Sequence, residues 1–221
     1  EGGLKLAAND PLVLFSLSLL TEIPLAARGP EFVGDLRALG LDVPDAPSLI
    51  DLTSALSRAI DAKALALGER TDLGEIGQMA AIESVNRLVG AALPSLFGPT
   101  AEDVRHAVAG LASGKGFALL ARCFFAQLTE RTLNFYLSRA LPDHIGPGAR
   151  FDDSADQERF SHDLARHCWE SAKIVEAFAG GWFGKTVYQE GGLTPEKTKG
   201  FSAYALQKIR SELKARRDAE E

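Results

Sequence analysis

Residues 117–141, FALLARCFFAQLTERTLNFYLSRAL, and residues 155–179, ADQERFSHDLARHCWESAKIVEAFA, decide the fold. Phe117, Leu120, Cys123, Phe124, Leu128 and Tyr136 recur at helical spacing in the first, and Phe160, Leu164, Cys168, Ala172, Val175 and Phe178 do so in the second. Side chains repeating every three or four positions fall on one side of a helix, so each segment carries an apolar stripe to bury. Between them, Pro142-Asp143-His144-Ile145-Gly146-Pro147-Gly148 combines helix-stopping prolines with glycines that permit turns. The expectation is an all-α bundle built around a long antiparallel helical hairpin, 117–141 against 155–179, with additional packed helices.

Working toward the amino terminus, Leu49, Leu52, Leu56, Ile60, Ala64 and Leu67 predict a helix from Ser48 to Leu67, with Gly68 at its C-cap. Asp72 and Glu75 have the spacing of a capping box for the next helix, which Gly74, Gly77 and Gly90 would either break or adapt to close packing. The apolar segment 10–23 is expected to end at Pro24, before a brief helical stretch over 31–39. Pro94, Gly98 and Pro99 mark the clearest internal boundary, and Thr100 with Asp103 starts a helix that Gly114 ends. This divides the chain into an N-terminal helical portion, 1–98, and a C-terminal hairpin portion, 99–221, packed together as one domain. Gly180-Gly181 should close the hairpin's second arm, and Thr194-Pro195 reads as an N-cap followed by a proline in the first turn of the last helix. No stretch alternates with the two-residue period of a strand.

Among 221 residues, 46% are hydrophobic, enough for a substantial core. Net charge is −6, unevenly spread: residues 1–110 hold 8 Lys/Arg against 15 Asp/Glu, and residues 111–221 hold 16 against 15. An acidic first half disfavours a broad nucleic-acid surface there. Cys123 lies 18 residues before the end of its helix at Leu141, and Cys168 lies 13 residues after the start of its own at Ala155. In an antiparallel pair that offset spans several ångströms at ~1.5 Å per residue, which disfavours a disulfide. Reduced cysteines and the lack of a secretory pattern at the start suit a cytoplasmic protein. The chain opens on Glu1 rather than Met, as a processed or excised product would. Abundant Ala, Leu, Arg and Gly suit a GC-rich bacterial source. No apolar run reaches the ~20 residues a membrane helix needs, so no membrane role is expected.

The chemistry-bearing residues are sparse. Gly184-Lys185-Thr186 resembles the end of a phosphate-binding loop, but Ala179 stands where the pattern needs its first glycine, and a helix rather than a strand precedes it. His162 and His167 are five apart and fall off a common helix face, so neither a metal site nor any cofactor is expected. Asp163 with His167 has the i,i+4 spacing of a paired carboxylate and imidazole. Asp143, His144 and Arg150 gather in the interhelical loop with Asp152 and Asp153, a candidate catalytic or ligand site with His144 as acid or base and Arg150 holding an anion. A solvated connection needs the same composition. In the last helix Lys199, Gln207, Arg210, Lys214 and Arg217 form a basic stripe that would suit phosphates, opposite an apolar stripe of Phe201, Ala205, Ile209 and Leu213. An amphipathic helix with cations near its C-terminus accounts for the same pattern.

Abundant apolar helix surface without a catalytic constellation points to a non-enzymatic interaction or assembly module of a cytoplasmic complex. Its partner would be another protein or further copies of itself, met through Phe125, Phe135, Trp169 and Trp182. The alternatives are a nucleic-acid-binding accessory protein using Lys199, Arg210, Lys214 and Arg217, and an enzyme or ligand-binding protein centred on the 143–153 loop.

Overall fold

The computed structural model describes the backbone of residues 2–94, 98–140 and 154–220. His144, Asp143 and Arg150 lie outside them. The protein is an all-α bundle: α1 (Gly2–Ala7), α2 (Pro11–Arg28), α3 (Phe32–Ala38), α4 (Leu49–Leu67), α5 (Asp72–Ala92), α6 (Ala101–Gly110), α7 (Gly114–Ala140), α8 (Ser154–Ser171), α9 (Lys173–Tyr188) and α10 (Pro195–Glu220). Two long helices organise the packing. Helix α7 lies against α5, α8 and α9, and α2 lies against α5, α6 and α10. A single apolar cluster runs through both sides of the 94–99 boundary, from Leu4 and Leu17 through Val85 to Phe124, Phe183 and Ile209.

Several helix starts follow from side-chain capping. Ser48 and Asp51 form a capping box before α4, and Gly68 closes that helix in the left-handed region at φ 67°. Thr100 and Asp103 form a second box before α6. The start of α5 differs from the sequence expectation: Thr71 is the N-cap, its hydroxyl accepting from Gly74 N at 2.9 Å, which puts Asp72 inside the first turn. Buried Asp10 explains the shift. One carboxylate oxygen caps α2 by accepting from Leu12 N at 2.9 Å and Val13 N at 3.1 Å. The other accepts from the Thr71 hydroxyl at 2.6 Å. The two helices therefore start from one hydrogen-bonded node. Asp10→Ala removes the cap of α2 and the acceptor of Thr71 together, and should lower unfolding stability by about 1–2 kcal/mol, read from urea titration.

Proline and glycine do less punctuating than the sequence implied. Helix α2 continues through buried Pro24 to Arg28, at the cost of one i→i−4 hydrogen bond to Leu20, because burial along α5 and α6 holds the segment helical. Gly74 and Gly77 of α5 serve close packing: a Cβ on Gly77 would lie 2.9 Å from Val13 Cγ2 and 3.1 Å from Val13 Cα, whereas one on Gly90 would meet only an ordinary contact at 3.7 Å. Gly180-Gly181 does not end the hairpin's second arm, since α9 runs on to Tyr188. There a Cβ on Gly180 would lie 2.6 Å from the Gly114 carbonyl oxygen, so the bare glycine lets α7 and α9 touch backbone to backbone. The break in that arm falls earlier, at Ala172, where ψ opens to −8°. It turns Val175, Ala179 and Phe183 into the core beneath α7.

Helix α2 is also long and apolar enough by composition to cross a membrane, and 56% of its 18-residue window is buried inside the bundle. Its place against α5, α6 and α10 accounts for that apolarity. Cys123 and Cys168 are free and buried, and burial raises both thiols, Cys168 to about 12, which makes them poor nucleophiles.

Candidate functional site

The four aromatics expected to form an interaction surface do not share one. Phe125 is fully buried, 5.1 Å from the Phe124 ring and 5.8 Å from Phe201, so it belongs to the core and is not available to a partner. Trp182 is partly buried and stacks on Phe201 at 4.1 Å. Both residues therefore fill an aromatic cluster between α7, α9 and α10 that also holds Phe117, Phe178 and Phe183. Phe135 is half-buried and meets the Tyr136 ring at 5.2 Å. Trp169 differs from the others, because guanidinium groups hold it instead of rings.

Two arginines lie over the Trp169 indole, Arg122 at 4.2 Å and Arg87 at 4.5 Å from the ring centre. Both are within cation–π distance. Arg122 is the charge that interrupts the apolar run of α7, and its side chain is only 11% exposed. Its Nη1 donates to Glu176 at 2.8 Å and its Nη2 to the Trp169 carbonyl at 3.4 Å. Glu170 stands 4.0 Å away. One buried side chain thus ties α7 to α8 and α9 on both sides of the Ala172 break. A largely buried charge with this many partners positions its neighbours. Alongside it, Glu83 of α5 accepts from Gln127 Nε2 at 2.7 Å and from Arg131, which locks α5 to α7.

These two locks frame a depression of about 350 Å³ whose polar lining is Arg87, Gln127, Glu130, His162 and Arg166, with Trp169 as its aromatic wall. Helices α5, α7 and α8 supply one or more of these residues each. Burial is the main influence on Glu130 and raises its carboxyl above the ordinary range, with nearby Arg131 opposing. Arg166 is paired with Asp163 at 3.1 Å, and His162 is 83% exposed. Arg122 and Arg131 are paired as well. Arg87 has no carboxylate within 4.0 Å among the described residues, and it is exposed where it lies over the indole ring. Chemically, the arrangement offers a preoriented fork for a carboxylate beside an apolar wall.

The other sequence candidates are placed as follows. On α10, Lys199, Lys214 and Arg217 are exposed and Arg210 partly so, opposite buried Phe201, Ala205 and Ile209. Arg217 pairs with its neighbour Asp218 at 2.7 Å. Gly184-Lys185-Thr186 lies inside α9, with Thr186 buried and Lys185 paired to Glu190 at 3.1 Å, so no loop of free amides exists there to cradle phosphate. Among the described residues no group of three or more His, Cys, Asp or Glu is disposed to hold a metal.

The sequence reading singled out Trp169 but missed Arg87, Gln127, Glu130 and Arg166. The one available signal was Arg122, a charge inside an otherwise apolar helical run. No family model matches the chain, and no curated protein or solved structure matches it either.

Proposed function

We propose that the chain is a non-enzymatic helical interaction module that docks a carboxylate-bearing segment of a partner protein in the α5–α7–α8 depression. The observation that carries this reading is Arg87: of the four arginines around Trp169 and Glu83 it is the one without a carboxylate within 4.0 Å among the described residues, and its guanidinium carbon lies over the indole, 4.5 Å from the ring centre. A partner Asp or Glu would complete the pair, and an adjacent apolar side chain would rest on the Trp169 edge. Aromatic and arginine residues at one spot are the usual anchors of protein interfaces. Arg122 and Glu83 act as supports that keep the depression open and correctly shaped.

The test is a panel of immobilised short peptides, glutamate-rich, neutral and lysine-rich, probed with the wild-type chain and with Arg87→Glu. Acidic peptides should retain the wild type, and Arg87→Glu should weaken retention about tenfold or more, as loss of one charge-assisted contact does. Because Arg87 is exposed, the helical circular dichroism of that variant should be unchanged. A double change at Arg210 and Lys214 to Glu, on α10, should leave retention as it was. Equal retention of all three peptide classes would refute the reading.

A further inference from the structure

A second cavity, of about 350 Å³, lies between α2, α4 and the turn leading into α10. Its apolar lining comes from Leu14 and Phe15 of α2, Leu193 of the turn and Pro195 at the start of α10, with Ser18, Thr194 and Thr198 as uncharged polar groups. Two opposite charges also line it, Glu22 from α2 and Lys63 from α4. They do not pair: among the described residues neither has an opposite charge within 4.0 Å, and none of these residues donates a hydrogen bond to the Glu22 carboxylate. Lys63 instead holds its ammonium 5.5 Å from the Phe15 ring centre.

A half-buried carboxylate without a donor is costly, and a protein that keeps one in an apolar cavity gains nothing in stability from it. Burial raises the Glu22 carboxyl, in keeping with that cost. The size of the cavity is at the small end for ligand pockets, suited to a metabolite of amino-acid size. We propose that this cavity binds a small zwitterion with an apolar side chain, an α-amino acid of the leucine or phenylalanine class. Glu22 receives the ammonium, Lys63 receives the carboxylate, and the side chain packs against Leu14, Phe15, Leu193 and Pro195. The site is separate from the Trp169 depression and does not depend on it.

Calorimetric titration of the whole chain with L-phenylalanine, phenethylamine and 3-phenylpropanoate tests the assignment, since the last two each lack one charge. Phenylalanine should bind about tenfold or more tightly than either analogue, because each charged contact is lost in turn. Glu22→Gln should reduce the preference over 3-phenylpropanoate to near unity and keep that over phenethylamine, and Lys63→Met should do the reverse. Glu22 also has a fold control. Its folded-state carboxyl is raised, so the ionised form is disfavoured in the fold, and the penalty is present above the raised value and absent in acid. Glu22→Gln should therefore raise the melting temperature at neutral pH, and the gain should vanish in acid. A loss of binding in a more stable protein is not unfolding. Binding of either analogue as tightly as phenylalanine, or no binding of phenylalanine at millimolar concentration, would overturn the proposal.

Discussion

Phe201→Ala is expected to lower unfolding stability by about 3–5 kcal/mol, the range for deleting a buried phenylalanine ring. Phe201 is the common member of the aromatic cluster, stacked on Trp182 at 4.1 Å and meeting Phe125 and Phe178 each at 5.8 Å and Phe117 at 6.0 Å. Helices α7, α9 and α10 all contribute to it, so no single neighbour can collapse into the space the ring leaves. Against a typical total of ~5–15 kcal/mol, the loss is a large share of the whole. Urea titration should show the midpoint falling sharply, and Trp182 emission should shift because its stacking partner is gone. Phe201→Leu, which keeps most of the volume, should cost far less. Similar midpoints for the alanine and leucine variants would mean that the cluster is not packed as described.

The second large effect separates two adjacent glycines. Gly180→Ala puts a methyl group 2.6 Å from the Gly114 carbonyl oxygen, and because that atom is backbone, relief requires α7 and α9 to move apart. Overpacking of this kind costs about 1–3 kcal/mol, occasionally more. Gly181→Ala meets open space on the exposed side of the same helix and should instead stabilise it by about 0.5–1 kcal/mol, since glycine is a poor residue inside a helix. Thermal melts of the two variants check the signs. Destabilisation by both would indicate that the pair terminates α9, as the sequence had suggested.

That pair shows where sequence reasoning succeeds and where it stops. Both ends of α4 and the start of α6 were legible because a capping residue and its partner lie within four positions, as Thr100 and Asp103 do, and Gly68 closes α4 by its own backbone freedom. By contrast, α6 ends at Gly110, and Gly114, expected to end it, opens α7 instead. Gly180 and Pro24 were misread because their roles are tertiary. Glycine can mark a helix end or a place where two helices touch, and nothing local tells these apart. The break at Ala172 left no trace, since neither glycine nor proline marks it and Arg122, which braces it, lies 50 residues upstream. The candidate site was legible only in Trp169. Arg87, Arg122 and Arg166 reach it from α5, α7 and α8, and only the packing of those helices sets the register that brings them together. Phe125 misled for the complementary reason: a helix apolar on several sides is either central or interfacial, and α7 is central, enclosed by α5, α8 and α9.

The proposal for the Trp169 depression is tested most directly by fluorescence. In a Trp182→Phe variant Trp169 is the sole tryptophan, since the chain has two, and its emission reports on the indole that Arg87 and Arg122 cover. Titration with a short glutamate-rich peptide should change that emission saturably. Added salt should weaken the effect, because Arg87 is exposed and its pairing is screened, and Arg87→Glu should weaken it about tenfold or more. A change that persists at full strength in Arg87→Glu, or no saturable change in the parent, would contradict carboxylate recognition at this site.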